Sequence, residues 1–459
     1  MPIEFERQEQ RKLVEWVRRT DRMPLILDGV RQVGKTHLMK WLGRTHFDRT
    51  AYFNFDEQPE LCQFFERTKQ VSQLLRDLSI VAGFPLDDRT LIIMDEIQSC
   101  QPALNSLKYF QENAPHLPVI SAGSLLGVSL GAGRSFPVGK VQFLSVHPLR
   151  FHDVLKQADP ELHAAWEGYW ETAVADPERN HSANPFPGPI PEFFFNPLKK
   201  HFKLHVLVGG LPRVAATFLE TLDLNQSDRV LDEMIESYIR DFAKHPLMSH
   251  VAKIEFVWRS LPSQLARENK KFLYQLVRSG ARAREYEDAL LWLVKAGLTH
   301  KIHRTTTPKL PLSAYDDLRA FKLYCFDTGV LRRMSRLDPA AYLTGDRLFT
   351  EFKGSLVENA ILEALVPQLD AIPRYYATKH GTEVDFLVQR ANDILPVEVK
   401  SEDHVKSRSL TLYERAHHPR LRIRFSLRNL SYRNGLLNIP HMLADRAMEL
   451  IGLALQAEP

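Results

Sequence analysis

PLILDGVRQVGKTHLMKWL, residues Pro24 to Leu42, begins as an apolar strand and ends as a helix. Between the two lies Gly29-x-x-x-x-Gly34-Lys35-Thr36. Glycines at these positions let backbone N–H groups wrap phosphate oxygens, and the following helix aims its positive dipole end at them. The cradle would be Gly29, Arg31, Gln32, Val33 and Gly34, with Lys35 neutralising the β and γ charge and the Thr36 hydroxyl on Mg²⁺. The stretch therefore predicts an α/β unit that binds a nucleoside triphosphate.

LIIMDEIQ, Leu91 to Gln98, supports this reading. Its apolar residues read as a buried strand that ends in Asp95 and Glu96 at the carboxyl edge, where open α/β sheets bind ligands. Asp95 would complete the metal shell and Glu96 would polarise the attacking water. A third apolar strand, LPVISAGS, offers Ser121 or Ser124 as a sensor of the γ-phosphate; either is equally readable as a strand end. No guanine-reading element is present, so ATP is favoured. Arg134 and Arg213 are candidates for an arginine supplied to a neighbouring subunit's site, beside a plain surface role for each.

The 459 residues suit roughly two to four domains. A hydrophobic fraction of 44% and a charged fraction of 25% provide for an ordinary core. The net charge of +4 is mild, but its distribution is uneven. Residues 271–310 and 401–440 each carry eight Lys or Arg against three acids, which suits nucleic acid as well as a solvated surface. Cys62, Cys100 and Cys325 form no zinc spacing and no disulfide framework, which points to a reducing compartment. The charged N-terminus has no signal-peptide core, and no apolar run is long enough to span a bilayer, so a cytoplasmic location without membrane contact is expected.

In the middle of the chain, VHPLRFHDVLKQ opens a helical stretch, and NPFPGPIPEFFFNP (Asn184 to Pro197) reads as a loop or linker before helical periodicity returns at Arg229 to Phe242. Two amphipathic helices are expected at Phe272 to Arg278 and Tyr286 to Ala296, the second closed by Gly297 and followed by the basic strand THKIHR. Helix, helix and strand with Arg282, Arg284, Lys295 and Lys301 match a winged helix-turn-helix or an ordinary packing unit. Later, TEVDFLVQRANDILPVEVKS predicts a β-hairpin turning over Gln389 to Asp393. Alternation puts Glu398 and Lys400 on one face of its second strand, with Asp385 on the first.

GVRQVGKT, MDEIQ, SAGSLLG, SFPVGKV, HPLRFHDVL, VGGLPR, LPSQLARENKKF, PLSAYDDLRAFKLYCFDTGVL, GSLVENAILEAL, EVDFL and PVEVK follow one another in an order that resembles the prokaryotic AAA-type ATPases with a C-terminal domain of unknown function. That resemblance runs from about Pro24 to about Phe425. It implies a P-loop AAA+ core over 1–150, a helical lid and Pro-rich linker over 151–250, a winged-helix module over 251–335 and an α/β restriction-endonuclease-like domain over 336–459. The last part is similar to PD-(D/E)xK nucleases. Asp385, Glu398 and Lys400 fall on that motif, Glu358 on its helical acid, and Val384 stands where the motif's name has proline. Glu358, Asp385 and Glu398 would then hold Mg²⁺ or Mn²⁺, with Lys400 orienting water. A solvated acid–lysine cluster, or a fold that binds DNA without cutting, are the other readings. The resemblance also implies a homo-oligomer, plausibly a hexamer, that acts on DNA. The alternative is an ATP-driven assembly switch that recruits a protein partner.

Overall fold

A computed structural model describes residues 3–123, 137, 139–175, 186–243, 248–344, 350–379, 381–402 and 407–456. The chain divides into two units, one of residues 6–147 with 292–298 and one of 1–5, 148–291 and 299–459.

In the N-terminal unit the described elements are α1 (Gln8–Arg18), β1 (Leu25–Asp28), α2 (Lys35–His46), β2 (Arg49–Asn54), α3 (Cys62–Arg67), α4 (Val71–Ala82), β3 (Thr90–Asp95), α5 (Gln101–Asn113), β4 (Val119–Ala122) and β5 (Gln142–Ser145). Their strands form one parallel sheet in the order β2-β3-β4-β1-β5. Every residue of β3 is buried, as an unbroken apolar run requires when helices cover both faces. Ile26, Phe53, Ile92, Leu104 and Phe110 meet in the core beneath one face. β4 lies between β1 and β3, so the carboxyl ends of β1 and β3 flank a gap one strand wide.

Cys62 and Cys100 are joined by a disulfide, with Cα atoms 5.7 Å apart, and Cys325 is free and buried. The expectation of unpaired cysteines fails here. A separation of 38 residues gives no local signal, and the pair meets only because α3 and the start of α5 pack in one core. The cysteine argument for a reducing compartment falls with it.

The C-terminal unit opens with α6 (Phe151–Ala158), α7 (Pro160–Ala175), α8 (Glu192–Val208), α9 (Pro212–Thr221), α10 (Leu224–Phe242), α11 (Met248–Leu265), α12 (Tyr274–Val277) and α13 (Ala283–Lys295), whose residues 292–295 count with the other unit. It continues through β6 (Thr299–Thr305), β7 (Asp316–Cys325), α14 (Thr328–Met334), α15 (Pro339–Thr344), α16 (Thr350–Leu365), β8 (Arg374–Ala377), β9 (Glu383–Arg390), β10 (Asp393–Val399), α17 (Arg408–His417), β11 (Arg422–Ser426), β12 (Ser431–Arg433), β13 (Leu436–Pro440) and α18 (Ala447–Gln456).

The linker expected up to Pro197 ends earlier. α8 starts at Glu192 directly after its N-cap Pro191 and runs through an interior proline, Pro197, in a stretch where Phe194, Phe195 and Leu198 are buried. The first amphipathic helix expected at 272–278 shrinks to α12, whereas α13 ends before Gly297 at φ +75. Among the described residues an eight-stranded sheet runs β12-β13-β11-β10-β9-β8-β6-β7. The module expected over 251–335 is therefore not separate. Its hairpin β6–β7 exists, but β6 also pairs in parallel with β8 through Arg304 with Tyr375 and Thr305 with Tyr376. Pairing removes an edge that would otherwise lie open, and the boundary drawn at 335/336 cuts through one continuous sheet. No helix among the described residues is long and apolar enough to cross a membrane.

Candidate functional site

At the carboxyl edge of the parallel sheet, the chain leaves β1 at Asp28 and wraps through residues 29–34 into α2. Gly29 has φ +140, and a Cβ there would lie 2.3 Å from the Val146 carbonyl oxygen. Gly34 has φ +99 and Gln32 φ +64, so the loop turns through backbone conformations that favour glycine. Lys35 is 7% exposed, and its Nζ donates to the Gly29 and Val30 carbonyls at 2.8 and 2.7 Å. The ammonium thus lies inside the loop that a phosphate would fill. Burial lowers Lys35 to about 8, while Glu96, Asp95 and Asp28 pull the other way. A phosphate in the loop would raise it again.

Thr36 Oγ1 donates to Asp95 Oδ2 at 2.7 Å, across the gap between β1 and β3. A hydroxyl and a carboxylate so placed form a donor set that suits Mg²⁺ beside the phosphates. Asp95 is buried, and its Oδ1 accepts the Glu96 N–H at 3.0 Å. Glu96 sits at φ +49 and its Oε2 accepts from Gln98 Nε2. Arg31 approaches Asp56 at 3.9 Å.

Two groups that local patterns did not mark hold this edge. Arg7, nearly buried, donates to the Val33 carbonyl at 2.7 Å and to the His147 carbonyl, bracing the loop from behind. Tyr52, from β2, donates to Asp95 Oδ2 at 2.9 Å. Ser121 does not reach the edge: it is fully buried and donates to the Leu25 carbonyl at 3.3 Å. Ser124 and Arg134 lie outside the described residues. Arg213 is exposed and paired with Glu233 at 2.7 Å.

The second candidate site is a cleft of about 680 Å³ in the C-terminal unit, lined among others by Lys270, Glu358, Asp385, Glu398 and Lys400. The hairpin is tighter than expected: Asp393 pairs with Arg390, leaving Ala391, at φ +49, and Asn392 to turn. That ladder runs to Val397 with Phe386, so the next step sets Glu398 beside Asp385. Asp385 Oδ2 accepts the Val399 N–H at 2.8 Å, and Glu398 Oε1 pairs with Lys400. Asp385, Glu398 and Lys400 thus line one cleft.

Glu358, on α16, is placed differently. It is 2% exposed; its Oε2 accepts from Lys270 and its Oε1 from Tyr324, with Lys322 Nζ at 3.6 Å. Lys322 is fully buried and lies 2.6 Å from Glu383 Oε1. Burial works to raise the Glu358 carboxyl, but Lys270 and Lys322 hold it below its ordinary value. Burial and the Glu358 charge push Asp385 upward. Among the described residues no three His, Cys, Asp or Glu side chains are grouped to hold a metal ion. Asp385 and Glu398 keep the oxygen ligands a divalent ion needs, whereas Glu358 is already neutralised by lysine. Lys270, Lys322 and Tyr324 carry no sequence signal for this role, because they come from a loop and from β7, far from the motif.

Residues 21–155 match the AAA domain family. Residues 199–341 and 353–442 match two domains of unknown function, DUF8612 and DUF4143. The match at 21–155 covers the phosphate loop, Asp95 and Glu96. Residues 21–155 form an AAA-type ATPase domain. No curated relative matches the sequence. Among solved structures, the chain is similar to the Walker-type ATPase PABY2304 of Pyrococcus abyssi at 15% identity, over 72% of this chain and 96% of that one, with a TM-score of 0.43. It is also similar to the Aeropyrum pernix ORC1 protein in complex with DNA at 12% identity, over 75% and 95%, with a TM-score of 0.28. Drosophila ORC bound to DNA gives 14% identity, over 69% and 90%, and a TM-score of 0.26.

Proposed function

We propose that this AAA-type ATPase hydrolyses ATP to control a nuclease-like cleft that acts on DNA. In the ATPase domain, Gly29, Arg31, Gln32, Val33 and Gly34 would cradle the phosphates through backbone N–H groups, and Lys35 would exchange its bonds to the Gly29 and Val30 carbonyls for phosphate oxygens. Thr36 and Asp95 would hold Mg²⁺, which neutralises charge on the phosphates. Glu96, one residue beyond the buried end of β3, would accept the proton of the attacking water. An arginine from a second copy, with Arg213 the exposed candidate, would complete the site in a homo-oligomer.

The observation that carries the DNA reading is the meeting of Asp385, Glu398 and Lys400 in one cleft on the meander β8–β9–β10. Helix α16, that antiparallel meander, helix α17 and the parallel strand β11 follow in the order of a PD-(D/E)xK nuclease, which supports the reading. Lys271, Arg304 and Lys400 line the same cleft and would offer cations to a phosphodiester backbone. A divalent ion on Asp385 and Glu398 would polarise the phosphodiester, and Lys400 would orient the attacking water. Incubation of the full chain with labelled linear, supercoiled and branched DNA, Mg²⁺ or Mn²⁺ and ATP tests this. Cleavage that Lys400→Ala abolishes is expected; DNA left intact and unbound under every condition would refute it.

A further inference from the structure

The nuclease-like reading uses Asp385, Glu398 and Lys400 and leaves a second group in the same cleft without a task. Lys270, Lys322 and Tyr324 converge on Glu358 and engage both of its oxygens. The carboxylate is 2% exposed and Lys322 is 0% exposed, so neither can trade its partner for water. The lysines come from separate elements: Lys322 from β7, Lys270 from the loop between α11 and α12. Lys270 thus neutralises Glu358 directly, and Lys322, shared between Glu358 and Glu383, holds the remaining side of it, so the acid has no charge left for a divalent ion.

Glu398 contrasts with this. It is 3% exposed and lines the cleft; its Oε1 is taken by Lys400, but its Oε2 has no hydrogen-bond partner among the described residues. A buried carboxylate oxygen without a donor bears its full desolvation cost, and a cation on it removes that cost. Asp385 is its neighbour in register. With no three His, Cys, Asp or Glu side chains grouped among the described residues, the available donor set is these two side chains.

We propose that Lys270 and Lys322 stand permanently where a second cation would sit beside Glu358, so that the cleft takes one divalent metal ion, on Asp385 and Glu398, and never a pair. The inference rests on the nuclease-like reading of the cleft, and counting ions separates the two. Mn²⁺ is titrated into the nucleotide-free full chain and free Mn²⁺ is followed by electron paramagnetic resonance. Glu398→Gln is the subtraction, which cancels any ion held at Thr36 and Asp95; Asp385→Asn is a second subtraction, and melting curves confirm that each variant folds. The expected result is one ion per chain that either substitution weakens by about 10-fold or more. Lys270→Gln, which frees Glu358 Oε2 and leaves Lys322 in place, is expected to bind a second equivalent. Two cleft ions in the wild-type chain, or a count of one that persists in Lys270→Gln, overturn the inference and leave the nuclease-like reading standing. No ion sensitive to Glu398 or Asp385 overturns both.

Discussion

The proposed mechanism gives Lys35 and Glu96 different tasks, and single substitutions should separate them. Lys35 lies within the phosphate loop, so Lys35→Ala is expected to lose nucleotide binding, read with a fluorescent ATP analogue. Glu96 lies one residue past Asp95, so on the proposed mechanism Glu96→Gln should still bind ATP while turnover falls by about 100-fold or more, read as phosphate release. Both residues are legible in the sequence because each belongs to a short local motif, Lys35 to Gly29–Thr36 and Glu96 to Leu91–Gln98. Arg7 and Tyr52 are not, since each reaches its partner only through the tertiary fold. Lys322 is the extreme case. Read as a string, it is one more lysine in a strand; folded, it is fully buried between Glu358 and Glu383. Lys322→Ala would leave those acids without it, and a loss of about 3–5 kcal/mol is expected in urea denaturation of the C-terminal unit. A loss below about 1 kcal/mol would mean that the buried ion cluster contributes little.

At the scale of elements, the hairpin β9–β10 was readable because period-two alternation and turn residues are short-range signals. The turn proved two residues long, with Ala391 left-handed, where a longer connector was expected. The partner of β6 was not readable. Its bonds to β8 join residues about 70 positions apart, Arg304 to Tyr375, and nothing in THKIHR announces them. A fragment starting at residue 336 would lose β6, β7, Lys270, Lys322 and Tyr324 at once, exposing the edge of β8 and leaving Glu358 bare. Such a fragment is expected to show no cooperative thermal transition, whereas one starting at residue 148 retains the whole sheet and should melt cooperatively. Calorimetry of the two fragments checks this.

For the molecule as a whole, acid should act first on the C-terminal unit. His441 is buried and His205 half-buried, and desolvation lowers each to about 4; Asp445 opposes this at His205, and the bond to the Lys400 carbonyl opposes it at His441. Their ordinary value is about 6.5, so the unfolded chain takes up these protons first. The stability they support is therefore complete above about pH 6.5 and is lost as pH falls toward about 4. Urea midpoints measured across that window should fall, and His441→Gln, which keeps a donor for Lys400, should flatten part of the decline.

The AAA domain match lies mainly in the N-terminal unit, and the cleft on which the DNA proposal rests lies in the C-terminal unit. If ATP hydrolysis and DNA are coupled as proposed, the steady-state rate of ATP hydrolysis by the full chain should differ with and without duplex DNA at low salt. The expected rate is one that DNA raises several-fold, that Lys35→Ala abolishes and that added salt returns to its basal value. A rate unchanged by linear, supercoiled and branched DNA alike, with Lys35→Ala still inactive, would contradict it and leave an ATPase whose partner is not DNA.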